Sequence, residues 1–138
     1  MWVIDTDVVI AAIRSRRGAS AEVIRMALRG EVEIGLSVAL AIEYEAVSMR
    51  KEHLVAGAVS AADALVVVDA LISVAVPIET HFRWRPQLRD PDDEMVLEVA
   101  VNGGAAAIVT FNRKDFAPAA SHFGLDVLSP SQALETTR

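Results

Sequence analysis

Two carboxylates, Asp5 and Asp7, follow directly after the apolar run Trp2–Ile4. A short apolar run bounded by polar residues is typical of a central strand in a parallel sheet that is covered on both faces. Ligands of such sheets bind just beyond the carboxyl ends of the strands. Asp5 is therefore a candidate ligand or catalytic residue, although Asp5 or Asp7 could instead only cap a helix that begins at Val8.

A second candidate acid, Glu43, lies in a segment with helical spacing after Ser37. The residues three and four positions away from it on either side are all apolar: Ala39, Leu40, Ala46 and Val47. Such neighbours place Glu43 on an inward-facing stripe of the helix. A carboxylate there is costly unless it is paired, protonated or bound to a metal ion, so Glu43 is a candidate metal ligand.

The run of residues 90–94 contains four acids around Pro91 and opens a predicted helix. Helix capping explains part of this run, with Asp90 as the N-cap, Pro91 at the first helical position and acids in the first turn. Capping requires only one or two of the four acids. Asp93 has apolar residues four and seven positions later, so it lies over the inward-facing stripe and is a third candidate ligand.

A polar run, residues 110–116, follows the next apolar segment. The carboxyl ends of parallel strands meet at one edge of the sheet, so Asp5, Glu43, Asp93 and this run can converge there. Oxygen ligands of this type suit Mg²⁺, with Mn²⁺ as a close substitute, rather than zinc or copper. One or two such ions, about 4 Å apart when paired, can activate water and stabilise the charge that develops on a phosphate.

Alternating helices and strands predict an α/β protein that presents these acids at the edge of its sheet. We expect helices over residues 8–14, 20–30, 37 to about 54, 60–74 and 90–101, with a short helix from 131. We expect strands over residues 2–4, 32–36, 78–82, 105–110 and 124–128.

The composition predicts one compact domain over residues 1–138, since 53% of the residues are hydrophobic and 23% are charged. The absence of cysteine excludes disulfides, thiolate catalysis and cysteine-based zinc sites, and it fits a reducing cytoplasm. We predict neither a signal peptide nor a membrane-spanning segment. The net charge of -6 argues against a broad basic surface for nucleic acid, although metal-binding carboxylates contribute to that charge.

Four groups of residues resemble the PIN-domain family and, more narrowly, its branch of toxin components. They are Ile4-Asp5-Thr6-Asp7-Val8-Val9, the pair Glu43-Tyr44, residues 90–94 with 97–100, and residues 108–112 with Asp115-Phe116. The resemblance covers nearly the whole chain. It implies a three-layer α/β/α fold with a mainly parallel central sheet flanked by helices. It also implies Mg²⁺- or Mn²⁺-dependent cleavage of single-stranded RNA, a homodimer and, often, a small antitoxin protein that blocks the site.

Under this resemblance, Asp5, Glu43 and Asp93 match the first three metal-binding and catalytic acids of the family. The fourth acid falls at Asn112. A neutral amide binds a cation more weakly than a carboxylate does, so the substitution calls two-metal chemistry into question. Asp115, three residues later in the polar run, could supply the missing charge as a ligand of the second metal.

Further residues are predicted to support these ligands. Asp7 stands where Asn is common in the family, and we expect it to orient Asp5 or the turn that follows. Thr6, Thr110 and Asp90 are expected beside the metal ligands, and Asp90 could also compensate for Asn112. The apolar surplus of the chain and its almost entirely apolar helix 60–74 are the residue-level reasons to expect a dimer.

Cations near the acids are candidate RNA contacts. Arg83, Trp84 and Arg85 interleave an aromatic ring with two guanidinium groups, which could stack a base and contact phosphates. An ordinary surface loop explains the same three residues. Arg113 and Lys114 in the polar run are further candidates.

Two other functions stay open at the level of sequence. A haloacid-dehalogenase-like phosphatase also begins with an apolar strand that runs into Asp-x-Asp, but its later Gly-Asp-x-x-x-Asp type of metal motif is absent here. A degenerate member of the PIN-domain family could bind RNA or an antitoxin without cleaving RNA. Asn112 is the feature that favours this last alternative.

Overall fold

A computed structural model describes residues 1–83 and 85–137 of the chain. Within this part there are five strands: Trp2–Ile4 (β1), Gly35–Leu36 (β2), Val76–Pro77 (β3), Ala107–Val109 (β4) and Asp126–Leu128 (β5). The helices there are Thr6–Arg14 (α1), Ala19–Leu28 (α2), Val38–Ser48 (α3), Lys51–Gly57 (α4), Ala61–Val74 (α5), Pro91–Gly103 (α6), Arg113–His122 (α7) and Pro130–Glu135 (α8).

The sheet is parallel, and β1 lies at its centre, with β4 on one side and the pair of β2 and β3 on the other. Strands β1, β4 and β5 pair in the order β1-β4-β5, and β2 pairs with β3. A parallel bridge between Trp2 and Ile34 joins the second pair to β1. Every pairing among the described residues is parallel, so the carboxyl ends of the strands lie at one edge of the sheet.

Helices cover the sheet and give the predicted three-layer α/β/α fold. Helix α6 packs on β1, β2 and β4, while α7 packs on β5. Helices α1, α2, α3 and α5 pack against one another. Val3 and Ile4 of β1 and Ile108 and Val109 of β4 are almost completely buried, as expected for strands covered on both faces.

Tyr44 fixes α3 beside the end of β1. Its ring is fully buried, and its hydroxyl donates a hydrogen bond to the carbonyl oxygen of Ile4. A buried hydroxyl or carbonyl without a partner would cost about 1 to 3 kcal/mol, so this bond favours one placement of the helix. Because Glu43 precedes Tyr44 and Asp5 follows Ile4, the same contact brings the two acids into one region.

The predicted helix starts are largely confirmed by their caps. The hydroxyl of Ser37 accepts a hydrogen bond from the backbone N–H of Leu40, and that of Ser60 accepts one from Asp63. Asp90 is the N-cap of α6, as predicted, and Gly104 ends that helix in the left-handed conformation that favours glycine.

Several predicted boundaries are wrong. The helix predicted from 37 to about 54 is two helices, α3 and α4, because Arg50 adopts extended backbone and starts a new helix across the end of α1. The predicted strand 78–82 is replaced by β3 at Val76–Pro77, where an edge position tolerates a proline. The strand predicted over 32–36 is reduced to β2, Gly35–Leu36.

Helix α7 was not predicted, because residues 112–115 are polar and Pro118 stands inside the helix, where proline removes a backbone hydrogen bond. Helix α1 begins at Thr6 rather than at Val8 because Asp5 is its N-cap.

No single helix in residues 1–83 and 85–137 is long and apolar enough to cross a membrane, and only the pair Lys51–Gly57 and Ala61–Val74, bent by 99°, reaches that length and composition when taken together.

Candidate active site

A cavity of about 400 Å³ opens at the carboxyl edge of the sheet, and carboxylates from three parts of the chain line it. Asp5 and Asp7 come from the junction of β1 and α1, Glu43 comes from α3, and Asp92 and Asp93 come from the first turn of α6. The fold therefore brings together the three acids that were predicted to bind metal.

Asp5 both caps α1 and faces the cavity, so the two alternatives considered for it are compatible. Only 6% of its surface is exposed. One carboxylate oxygen accepts a hydrogen bond from the backbone N–H of Thr6, at 2.8 Å. The other accepts one from the hydroxyl of Thr110, also at 2.8 Å. That hydroxyl oxygen in turn accepts a bond from the backbone N–H of Asn112, at 2.9 Å, so a short hydrogen-bond chain orients Asp5.

Asp7 joins the same network and leaves one oxygen without a partner. Its Oδ2 accepts a hydrogen bond from the backbone N–H of Phe111 at 3.0 Å and lies 3.5 Å from the hydroxyl of Thr110. Its Oδ1 is buried and has no hydrogen-bond partner in the part of the chain that the structure describes. A buried carboxylate oxygen without a partner is unfavourable, and a cation in the cavity would remove that cost.

Asp93 is buried, as its spacing predicts. It is 8% exposed, and the residues four and seven positions later, Leu97 and Ala100, belong to the core. Asp90 lies outside the cavity lining, where its side chain accepts a hydrogen bond from the backbone N–H of Asp92 at 2.9 Å. Asp90 is therefore the cap of α6, and Asp92 is the additional acid that reaches the cavity.

Glu43 lies at the boundary of the buried stripe rather than on its centre line. Leu40 and Val47 are buried, whereas Ala39 and Ala46 are exposed. The prediction that all four neighbours face inward is thus wrong for the two alanines. The half-buried position still directs Glu43 to the cavity, because the helix edge that carries it borders the carboxyl end of β1.

Burial and mutual repulsion disfavour the charged forms of these acids. Burial, followed by the charge of Asp7, raises the pKa of Asp5 from its ordinary value of 3.8 to about 7. Burial, followed by the charge of Asp5, raises the pKa of Asp93 to about 7 as well. Burial also raises the pKa of Asp7 and of Glu43, and in Glu43 the charge of Arg50 opposes this increase.

The donor set fits a hydrated divalent cation. Among the described residues, no three Asp, Glu, His or Cys side chains converge closely enough to enclose a metal ion. Mg²⁺ usually keeps several water molecules and uses only one or two carboxylates directly, so it does not require such a cage. The oxygen atoms of the acids and of Asn112, the unpartnered Oδ1 of Asp7 and the repulsion among the acids suit a cation of this kind.

The structure separates the two candidates for the fourth acidic position. Asn112 lines the cavity, whereas Asp115 lies in the first turn of α7 and is exposed outside it. The charge of Asp115 nevertheless contributes to the raised pKa of Asp93. A role for Asp115 as a metal ligand stays a prediction.

The cations predicted to contact RNA do not line this cavity. Arg85 and Arg83 pair with Glu98, whose carboxylate is almost completely buried, and Trp84 lies outside the described residues. Arg113 donates a hydrogen bond to the side chain of Gln132 at 3.1 Å, and Lys114 is exposed. The structure thus assigns a structural partner to three of the four arginine and lysine candidates.

Sequence reasoning missed other residues of the cavity lining. Arg14, Arg50 and His53 line it from the end of α1 and the junction of α3 and α4, and Phe111 lines it with 54% of its surface exposed. No sequence spacing relates Arg14 to Arg50, because the packing of α4 on α1 brings them to one cavity. Phe111 could have been noticed as an aromatic residue directly after Thr110, in a polar run that follows a strand.

Comparison with known families agrees with the geometry. A family model described as the PIN domain matches residues 2–114, which is more than half of the chain. The chain belongs to the PIN-domain family. PIN domains are generally nucleases and usually bind divalent metals, so this chain has a nuclease-type fold in the hydrolase class. The matched segment includes Asp5, Glu43, Asp93 and Asn112 but ends one residue before Asp115.

The PIN-domain match also decides between the enzyme families considered. It accounts for the Asp-x-Asp start and for the later acids, whereas a haloacid-dehalogenase-like phosphatase accounts for the start alone. No curated protein matches the sequence.

The raised pKa values predict how the stability of the metal-free PIN domain depends on pH. Between about pH 4 and pH 7 the folded state holds more protons on Asp5 and Asp93 than the unfolded state does, so the contribution of these two groups to the free energy of unfolding falls as pH rises through this range. Asp93→Asn removes one of these groups. In EDTA, we expect it to raise the free energy of unfolding relative to the parent by roughly 1 to 3 kcal/mol more at pH 8 than at pH 4.5.

Urea denaturation at both pH values measures this difference. Asp63→Asn is the matched control, because Asp63 occupies the third position of α5 as Asp93 does of α6, but is exposed. If the Asp93 and Asp63 variants shift stability equally at both pH values, burial of Asp93 does not penalise its charge.

Proposed function

We propose that this PIN domain is a metal-dependent endoribonuclease that cleaves single-stranded RNA. The observation that carries the proposal is the cavity in which Asp5, Asp7, Glu43 and Asp93 meet, with one buried carboxylate oxygen unpartnered. Buried acids that repel one another destabilise a protein unless a cation compensates them, and a hydrated Mg²⁺ or Mn²⁺ is the cation that oxygen ligands favour.

Asp5, Glu43 and Asp93 would hold the cation, with Asp7 and Asn112 beside them. When bound, the cation would supply positive charge to the reacting phosphate and increase the acidity of the attacking water. The chain itself orients the ligands. Thr6 and Thr110 each hold one oxygen of Asp5, so its carboxylate presents a fixed face to the cavity.

Preference for single-stranded RNA is supported by Phe111. This ring is more than half exposed at the cavity rim, and its backbone N–H is fixed by Asp7. Exposed aromatic rings stack on unpaired bases, which contributes about 1 to 3 kcal/mol per base. A base-paired duplex does not offer its base faces in this way.

A PIN domain that binds RNA without cleaving it is the second candidate function. Asn112 favours it, because the family position for a fourth acid holds an amide that lines the cavity. The cleavage experiment below separates the two candidates.

We further propose that the protein acts in the cytoplasm as the toxin of a toxin-antitoxin pair, inhibited by a small antitoxin protein. The support is the resemblance to the toxin branch of the family and the absence of cysteine. Inhibition of the nuclease by the product of a neighbouring small reading frame is the expected result. Failure of every such product to bind the protein would contradict the pairing.

The nuclease proposal predicts RNA cleavage that requires Mg²⁺ or Mn²⁺ and stops in EDTA. Asp5→Asn keeps the shape of the side chain but removes a ligand charge, so we expect the cleavage rate to fall by about 100-fold or more. Gel analysis of a labelled single-stranded oligoribonucleotide measures this rate. Asp63→Asn, which changes an exposed acid of α5, should cleave like the parent protein.

Equal cleavage rates for the parent and Asp5→Asn would show that a contaminating nuclease or another site cleaves the RNA. Metal-independent RNA binding without cleavage by the parent would favour the second candidate function.

We also propose that the protein is a homodimer. Eight large apolar side chains are exposed in the described residues, and five of them lie on α3, α4 and α5: Val38, Ile42, Val55, Val66 and Val74. Exposed apolar surface of this kind often marks a protein interface. Light scattering should give twice the chain mass of 14.8 kDa, and Ile42→Lys should shift it towards the monomer. A monomeric mass for the parent at micromolar concentration would contradict the proposal.

A further inference from the structure

The cavity continues beyond the carboxylates along one face of α1. Asp7, Ala11 and Arg14 have the i, i+4 and i+7 spacing of a single helical face, and all three line the cavity. The nine residues of α1 span about 13 Å at a rise of 1.5 Å per residue. The face therefore begins with an acid at the end of β1 and ends with a cation in the last turn of α1.

A second cation reaches the cavity from the junction of α3 and α4. Arg50 precedes α4 and lies close enough to Glu43 to act on its carboxylate electrostatically. Helix α4 crosses the end of α1 so closely that a Cβ on Gly57 would come within 3.0 Å of the Cα of Arg14. This close approach is the reason that Arg14 and Arg50 line one cavity although 36 positions separate them.

Neither Arg14 nor Arg50 forms an ion pair with an acid in the part of the chain that the structure describes. Arg25, Arg29 and Arg85, in contrast, each pair with a glutamate. The negative end of the α1 dipole favours a cation, which explains part of the placement of Arg14. Arg50 lies between the end of α3, where the helix dipole favours a cation, and the start of α4, where it disfavours one, so the two dipoles together do not account for its placement.

We propose that Arg14 and Arg50 form a subsite for a backbone phosphate of the RNA on one side of the cleaved bond. The proposal rests on the RNA cleavage proposed above and adds the position of the strand. Guanidinium groups bind phosphate through paired, charge-assisted hydrogen bonds. Ile10 and Val47 line the cavity as well, although both are largely buried, and they make this part of its wall apolar.

This subsite defines the path of the RNA strand past the carboxylates. With one phosphate held by the two arginines, the strand follows α1 towards the carboxylates and continues past Phe111. Affinity then depends on two cations in a protein whose net charge is -6, so RNA binding weakens with salt through these contacts.

RNA affinity in a background that cannot cleave tests the subsite. Asp5→Asn Asp93→Asn removes two ligand charges, so binding of a fluorescein-labelled single-stranded oligoribonucleotide can be followed by fluorescence anisotropy in EDTA. In that background, Arg14→Gln and Arg50→Gln should each weaken binding about tenfold. Each should also reduce the slope of log affinity against log salt by about 0.7.

Two comparison variants show whether a loss of RNA affinity comes from the subsite itself or from the lower total charge of the protein. Arg17→Gln removes the same charge from an exposed position just beyond α1 that does not line the cavity, and it should bind RNA like the background protein. Arg50→Lys should restore most of the salt slope, because a lysine keeps the point charge. Thermal unfolding followed by circular dichroism shows whether each variant is folded.

Equal affinity and salt slope for Arg14→Gln, Arg50→Gln and Arg17→Gln would overturn the subsite, even if the parent protein cleaves RNA. The nuclease proposal fails separately, if the parent with Mg²⁺ leaves RNA intact while the two arginine variants still lose affinity. In the cleaving protein, Arg50→Gln should raise KM more than it lowers kcat. An unchanged KM with a lower kcat would contradict a binding role.

Discussion

The burial of like charges at the end of β1 is the constraint on which the site depends. Asp5 and Asp93 lose most of their contact with water. Burial and the charge of Asp7 raise the pKa of Asp5 to about 7, and burial and the charge of Asp5 raise the pKa of Asp93 to about 7. A protein that placed these groups only for stability would use neutral residues there. Positive charge in the cavity would offset this cost, and the divalent cation that we propose to bind there would supply it.

The rest of the fold holds the acids in this unfavourable arrangement. The parallel sheet brings the ends of β1 and β4 together, so Thr110 at the end of β4 can donate its hydroxyl hydrogen bond to Asp5 at the end of β1. Tyr44 anchors α3 to the carbonyl oxygen of Ile4. Asp90 caps α6 and leaves Asp93 to face the cavity.

Much of this site could be predicted from the sequence, because patterns within single elements indicate where the acids lie. An apolar strand that ends at Asp5 and a capped helix that carries Asp93 over a buried stripe are both visible in the order of residues. The extent of β3 and the break between α3 and α4 were predicted incorrectly, because they depend on tertiary packing. The one-domain organisation of residues 1–138 stays a prediction.

The residues that sequence reasoning could not place depend on contacts between distant segments. Arg50 reaches the cavity because α4 packs closely on α1 at Gly57, where a Cβ would come within 3.0 Å of the Cα of Arg14. Arg85, predicted as an RNA contact from its neighbours in sequence, pairs with Glu98, 13 positions away on α6, and its contact with RNA stays a prediction. Such pairings cannot be read from spacing within one element, because they are set by how the helices pack.

Anomalous diffraction from crystals grown with Mn²⁺ tests whether the acids hold a cation, because it locates the ion without reference to activity. We expect an anomalous peak between Asp5 and Asp93 at the carboxyl edge of the sheet, and we expect this peak to be absent from crystals of Asp5→Asn. A second, weaker peak near Asn112 would show that a second ion binds despite the amide. A cavity without any anomalous peak at saturating Mn²⁺, in crystals whose acids are otherwise placed as described, would contradict the account.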